Sequence, residues 1–181
     1  RCHSPSRPAL WKVKADHLLA PNSSTRPAEP FKQLQLPTDV EIDFVGNVLV
    51  IHLVGSSWSP ENGKLFPQGS IVYVNAHKFM KYGPTNRIYH VLFEPKPRVS
   101  FETYIVTKAF FILSTMENMR SKLEFFKLEK DANKLRLVGT DDRPRIRFVS
   151  IRPVDPYDGD KFCIQVQSYL EPTQLWIADA S

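Results

Sequence analysis

Glycine is scarce in this 181-residue chain, seven residues against fifteen prolines, which excludes collagen-like and glycine-rich low-complexity sequence. A glycine-cradled phosphate loop has little to be built from, because none of the seven cluster. Two cysteines cannot form a disulfide scaffold or an all-cysteine zinc site. The longest apolar run, Val48–Val54, is interrupted by His52 and falls far short of the roughly 20 residues a membrane-crossing helix needs. Catalytic signatures are missing too: there is no G-x-S-x-G elbow, Walker loop, G-x-G-x-x-G or H-E-x-x-H. The histidines, His3, His17, His52, His77 and His90, stand apart from one another, and no serine or cysteine has a base that spacing identifies. The sequence therefore reads as non-enzymatic, with no cofactor or metal implied.

What is present fits one domain. The chain is 42% hydrophobic and 24% charged, with a formal net charge of +5, values ordinary for a globular protein that is mildly basic. Beginning at Arg1, it reads as a processed or excised piece. Residues 1–37 hold Pro5, Pro8, Pro21, Pro27, Pro30 and Pro37 and no glycine, the composition of an extended arm or linker. Leu10, Trp11 and Phe31 are its candidate anchors. Asn22-Ser23-Ser24 is a glycosylation sequon in the same stretch, which tilts the compartment towards secreted or extracellular without deciding it.

From residue 38 to 181 the pattern is that of a single antiparallel β domain. Val40, Ile42 and Phe44 alternate with polar residues, Gly46-Asn47 follows, and Val48–Val54 comes next. Two β-rich runs around a Gly-Asn pair predict a hairpin, since glycine supplies the positive φ of a type II′ turn. Further strands are expected at Ser70–Asn75, Arg87–Phe93, Val99–Thr107, Ala109–Leu113, Arg145–Ile151, Lys161–Tyr169 and Gln174–Ala178. Gly55–Gly69 reads as a long loop carrying an exposed Trp58. Ser114-Thr-Met-Glu117 has the capping-box form, and Met116, Met119, Leu123 and Phe126 recur at helical spacing. This predicts a short helix through about Lys122, with Leu123–Glu129 open between helix and strand. The expected fold is mainly β, eight to ten antiparallel strands in a sandwich or barrel with one short helix and a proline-rich arm; a trefoil also fits the count.

Four features bear on function. Arg143, Arg145 and Arg147 fall at period two, so an extended segment puts three guanidiniums on one face, spaced for phosphates or sulfates. Lys134 and Arg136 could widen that patch. Trp58 and Trp176 are candidates for a protein contact. Cys163 lies on the polar face of its strand, with Gln165 and Gln167, where Cys2 of the arm could reach it. The acidic turn Asp155-Pro-Tyr-Asp158-Gly-Asp160 offers three carboxylates, but calcium wants six to eight oxygens and the EF-hand spacing is absent. Two functions remain: a β-domain that binds another protein, as an extracellular module or part of a larger assembly, and a polyanion binder (single-stranded nucleic acid, sulfated glycan or anionic membrane) using the basic strand. A small-molecule carrier is a third, with no polar anchor visible.

Overall fold

A computed structural model of the chain describes residues 10–11, 32–60, 64–85, 88–129, 134–141, 148–167 and 172–181. Two short segments, β1 (Leu10–Trp11) and β2 (Lys32–Gln33), pair with each other. Eleven longer strands then form three antiparallel sheets, each a meander in sequence order. Sheet I contains β3 (Val40–Val45), β4 (Val48–Leu53), β5 (Ile71–Asn75) and β6 (His90–Phe93). Sheet II contains β7 (Val99–Val106), β8 (Phe110–Glu117), β9 (Arg120–Glu129) and β10 (Lys134–Asp141). Sheet III contains β11 (Phe148–Pro153), β12 (Lys161–Gln167) and β13 (Gln174–Asp179). A single helix, α1 (Ala76–Tyr82), follows β5. The mainly β antiparallel reading holds, but there is no closed barrel among the described strands and the layers number three. Successive four-stranded meanders packed face on face are also the repeating plan of propeller blades.

The layers are set by strand periodicity. Along β8, Phe111 and Leu113 join a cluster with Val48, Val50, Ile71 and Tyr73 of sheet I. Phe110 and Ile112, on the other face, join Ile151 and Phe162 of sheet III. Sheet I turns its second face, through Leu49, Ile51, Val72 and Val74, to Phe79 of α1 and to Trp58, Phe66 and Leu34. Sheets I and II are thus covered on both sides, and continuous apolar runs such as Val48–Ile51 follow from that.

The Gly46-Asn47 hairpin forms as expected, with Val45 paired to Val48 and Gly46 at φ +55°. A Cβ at Gly46 would also lie 2.6 Å from Leu128 Cδ2, so a side chain there would be strained by its φ and would have to displace the end of Leu128. The predicted helix at Ser114–Lys122 is not formed. Ser114 and Thr115 are buried within β8, and the Ser114 hydroxyl donates to Glu102 Oε2 at 2.8 Å instead of capping a helix. Glu117 pairs with Arg120 across a two-residue turn in which Asn118 and Met119 both have positive φ, 49° and 64°. That is type I′ geometry, normally signalled by Asn-Gly; methionine in the glycine position hid it. The helix that does form was missed: Asn75 Oδ1 accepts from Lys78 N at 2.9 Å at its start, and Gly83, at φ +81°, closes its end through a bond from its N–H to Phe79 O at 2.8 Å. Asn75 and Gly83-Pro84 were its sequence signals. No helix among the described residues is long and apolar enough to cross a membrane.

Two mutations test this arrangement. Met119→Gly should raise stability by about 0.5–1 kcal/mol, by relieving a left-handed methionine at some cost in unfolded-state entropy. Phe162→Ala, at 1% exposure between sheets II and III, should cost about 3–5 kcal/mol. Urea unfolding midpoints measure both; a neutral Phe162→Ala would show that sheet III does not depend on that contact.

Candidate interaction surface

The sheets are joined by a few polar contacts, and these engage many of the residues that suggested chemistry. Tyr104 Oη of β7 donates to Asp43 Oδ2 of β3 at 2.8 Å. His52 is buried, its Nδ1 3.1 Å from Glu41 Oε2, with its ring 4.6 Å from that of Phe101. His90 stacks on Tyr73 at 4.9 Å, and burial, then nearby Lys134, lower its pKa. Both strand histidines are thus packing residues in the fold. In the acidic turn, Asp155 Oδ1 accepts from the Tyr157 and Asp158 amides at 2.9 and 3.2 Å. Asp160 Oδ1 accepts from Thr107 Oγ1 at 2.7 Å and Ala109 N at 2.8 Å, clamping sheet III to the β7–β8 turn. These carboxylates hold backbone, and among the described residues no group of three or more His, Cys, Asp or Glu is placed to hold a metal.

An open cleft of about 570 Å³ runs beside this junction, lined by Asp43, Tyr104, Lys108, Pro153, Pro156 and Tyr157 among others. Asp43 accepts the Tyr104 hydrogen bond at its wall, which ties sheet II to sheet I there. Burial chiefly, then the hydrogen bond from Tyr104 to Asp43 and the charges of Asp43 and Glu41, push the Tyr104 pKa well above its ordinary range.

Trp58 does not present itself to a partner. It is 9% exposed, its ring edge-on to Tyr89 at 5.1 Å. Trp58 and Phe66 exchange backbone bonds of 2.9 and 2.8 Å, and both side chains turn into the core. Of the basic residues, Lys134 and Arg136 are exposed on β10, and Arg136 Nε lies 2.7 Å from Glu129 Oε1. Arg143, Arg145 and Arg147 lie outside the described residues, as do Cys2 and Asn22. Cys163 forms no disulfide among the described residues. It pairs with Ile177 and shares its face with Gln165 and Gln167, as the alternation predicts.

Trp176 belongs to a different surface. In β13, Leu175 is 71% exposed, Trp176 58% and Ile177 72%. The register places Leu175 beside Gln165 and Ile177 beside Cys163 on the outer face of sheet III, and Trp176 beside Ile164 on the inner one. Consecutive residues alternate faces, so both faces of this strand are apolar and wet. β13 is also an edge strand, bonded to β12 alone among the described strands. Leaving three such side chains in water forgoes about 1.5–3 kcal/mol each relative to full burial. Sequence reasoning singled out Trp176; the neighbours and the open edge became visible only with the sheet order.

No family model matches the chain, and no curated protein matches it. Among solved structures it is similar to a post-proline cleaving enzyme from Rickettsia typhi, with a TM-score of 0.65 and 16% identity over 82% of this chain. It spans only 21% of that chain. The likeness is one of fold.

The Tyr104–Asp43 bond has a pH consequence. In the unfolded chain tyrosine ionises near pH 10, whereas Tyr104 in the fold stays protonated, so the unfolded state binds fewer protons above about pH 10 and stability falls there. Urea midpoints taken between about pH 8 and 11 should drop with rising pH, less steeply in Tyr104→Phe, with Tyr73, also raised by burial, supplying part of the remainder. Identical slopes in the two proteins would show that Tyr104 is not held in this way.

Proposed function

We propose that this chain is a non-enzymatic β-domain that binds another protein, acting as one module of a larger assembly. The observation that carries this reading is the Leu175-Trp176-Ile177 run, apolar on both faces of a strand whose outer edge is unpaired among the described residues. Contiguous exposed apolar surface of this kind marks contact sites, whereas scattered apolar side chains do not. The partial-length likeness to a larger enzyme chain supports the second half of the reading, since there too the similar fold is a fifth of a longer polypeptide. The polyanion reading draws less support, because Arg143, Arg145 and Arg147 lie outside the described residues and only Lys134 and Arg136, the latter paired with Glu129, are placed by the structure.

Photo-cross-linking in the cells that make the protein separates the two. A cross-linker at position 176 should give a discrete protein adduct, and one at Leu65, another exposed apolar residue, should not. In lysate irradiated at about 0.05 and at about 0.2 M salt the adduct should form to the same extent, a range over which phosphate contacts weaken by orders of magnitude. Heparin or single-stranded oligonucleotide binding that falls steeply over that range, and is lost with Arg143, Arg145 and Arg147→Glu, would overturn the proposal in favour of polyanion binding.

A further inference from the structure

We infer that β13 is an interior strand by design, and that its free edge takes a fourth antiparallel strand supplied by the larger polypeptide that carries this domain. The inference rests on the reading of the chain as a module of a larger assembly and names what that surface receives.

Sheet regularity is the first ground. Sheets I and II each run four strands in strict meander order, and sheet III repeats the order with three. β13 is third in its sheet, as β5 is in sheet I. β5 carries Ile71-Val72-Tyr73-Val74, all buried, and its outer edge is covered by β6. β13 carries Leu175-Trp176-Ile177-Ala178 in the corresponding place, without that neighbour.

Edge chemistry is the second ground. An edge strand meant to stay open is blunted by charge, proline, bulge or shortness. The other edges carry such guards. β3 holds Glu41 and Asp43, β10 holds Lys134 and Arg136, and β11 holds Arg152 and Pro153. β7 is bulged between Phe101 and Thr103, and β6 has four residues. β13 is six residues long, shows no register shift against β12, and has a charge only at its last position, Asp179. Its residues are those of a strand with neighbours on both sides.

The third ground is the side-chain pattern, which specifies the incoming strand. A segment of about six residues would match β13 in length. It would need apolar side chains on both faces, beside Leu175 and Ile177 outside and Trp176 inside. A second copy pairing through the same strand would set β13 against β13, joining two sheets into one of six strands and leaving neither with the count of sheets I and II; its other edges carry charge, a bulge or short length.

The test supplies the strand. The sequence Asn-Gly-Ile-Val-Tyr-Val-Asn, a turn followed by the residues found at 71–75, which are apolar on both faces, is appended after Ser181. Hydrogen exchange across residues 174–179 is then compared in the native chain, the extended chain, and an extended chain with proline in the middle of the added strand. The native chain should sediment as a monomer, and its β13 amides directed away from β12 should exchange fast. The extension should slow them by about tenfold or more, and the proline version should restore the native rate. Unchanged exchange on extension would overturn the inference. So would protection of those amides in the native chain, whether as a dimer, which would make a second copy the occupant, or as a monomer, which would mean the chain covers its own edge. Failure here together with a persisting adduct from position 176 would leave β13 a face-on contact and the protein-binding reading intact; loss of that adduct would remove the reading itself.

Discussion

The structure depends on one strand buried from both sides. β8 presents Phe111 and Leu113 to sheet I and Phe110 and Ile112 to sheet III, none more than 2% exposed. Because neighbouring side chains leave a strand on opposite faces, a strand of this kind cannot be served by one partner sheet. It requires a layer on each side, which is why the domain is a stack and not a two-sheet sandwich. The order of the layers follows from short connections, since each sheet closes its own meander before the chain passes to the next.

Apolar faces alone would let such layers slide, because hydrophobic contact is not directional. Direction comes from a few polar anchors set at the margins of the apolar clusters. Tyr104 reaches Asp43 across sheets I and II, and Asp160 fixes the β7–β8 turn to sheet III through two bonds. Within sheet II, Glu102 sits at the β7 bulge and accepts from Ser114 and Ser121 on the next two strands. Each of these carboxylates would be costly to bury alone and is satisfied by a partner the stack provides. Asp160, one of the three carboxylates of the acidic turn, is thus used to hold the β7–β8 turn.

Much of this was legible before any coordinates. Alternation located β3, Gly46-Asn47 located its hairpin, and Phe162, Ile164 and Val166 marked one face of β12 with Cys163 on the other. The failures were local signals overruled by tertiary context. Met116, Met119, Leu123 and Phe126 have helical spacing, yet they come from two strands and the turn between them; the I′ turn uses Asn118 and Met119 where Asn-Gly would have declared it. Trp58 lay in a proline-bearing loop and was expected outside, but it pairs through its backbone with Phe66 and its side chain turns into the core. Strand periodicity gives the faces of each strand and not the order of sheets, so the double coverage of β8 and the open edge of β13 could not be read from it.

That open edge is the place where consistency between levels fails. The other edges carry charge, a bulge or short length, and β4, β5 and β8 inside their sheets are largely apolar, although interior β9 carries Arg120, Lys122, Glu124, Lys127 and Glu129. β13 has the composition of an interior strand in the position of an edge strand. Natural proteins break such rules at functional sites and offset the loss elsewhere; a free apolar edge also invites indiscriminate pairing. In the reading proposed above, Leu175, Trp176 and Ile177 are kept together, while the other edges are guarded, because a further strand covers them. The same physics that closes sheets I and II, backbone bonding along the edge and apolar packing on both faces, would then join this domain to its neighbour, and the interface would be a continuation of the fold.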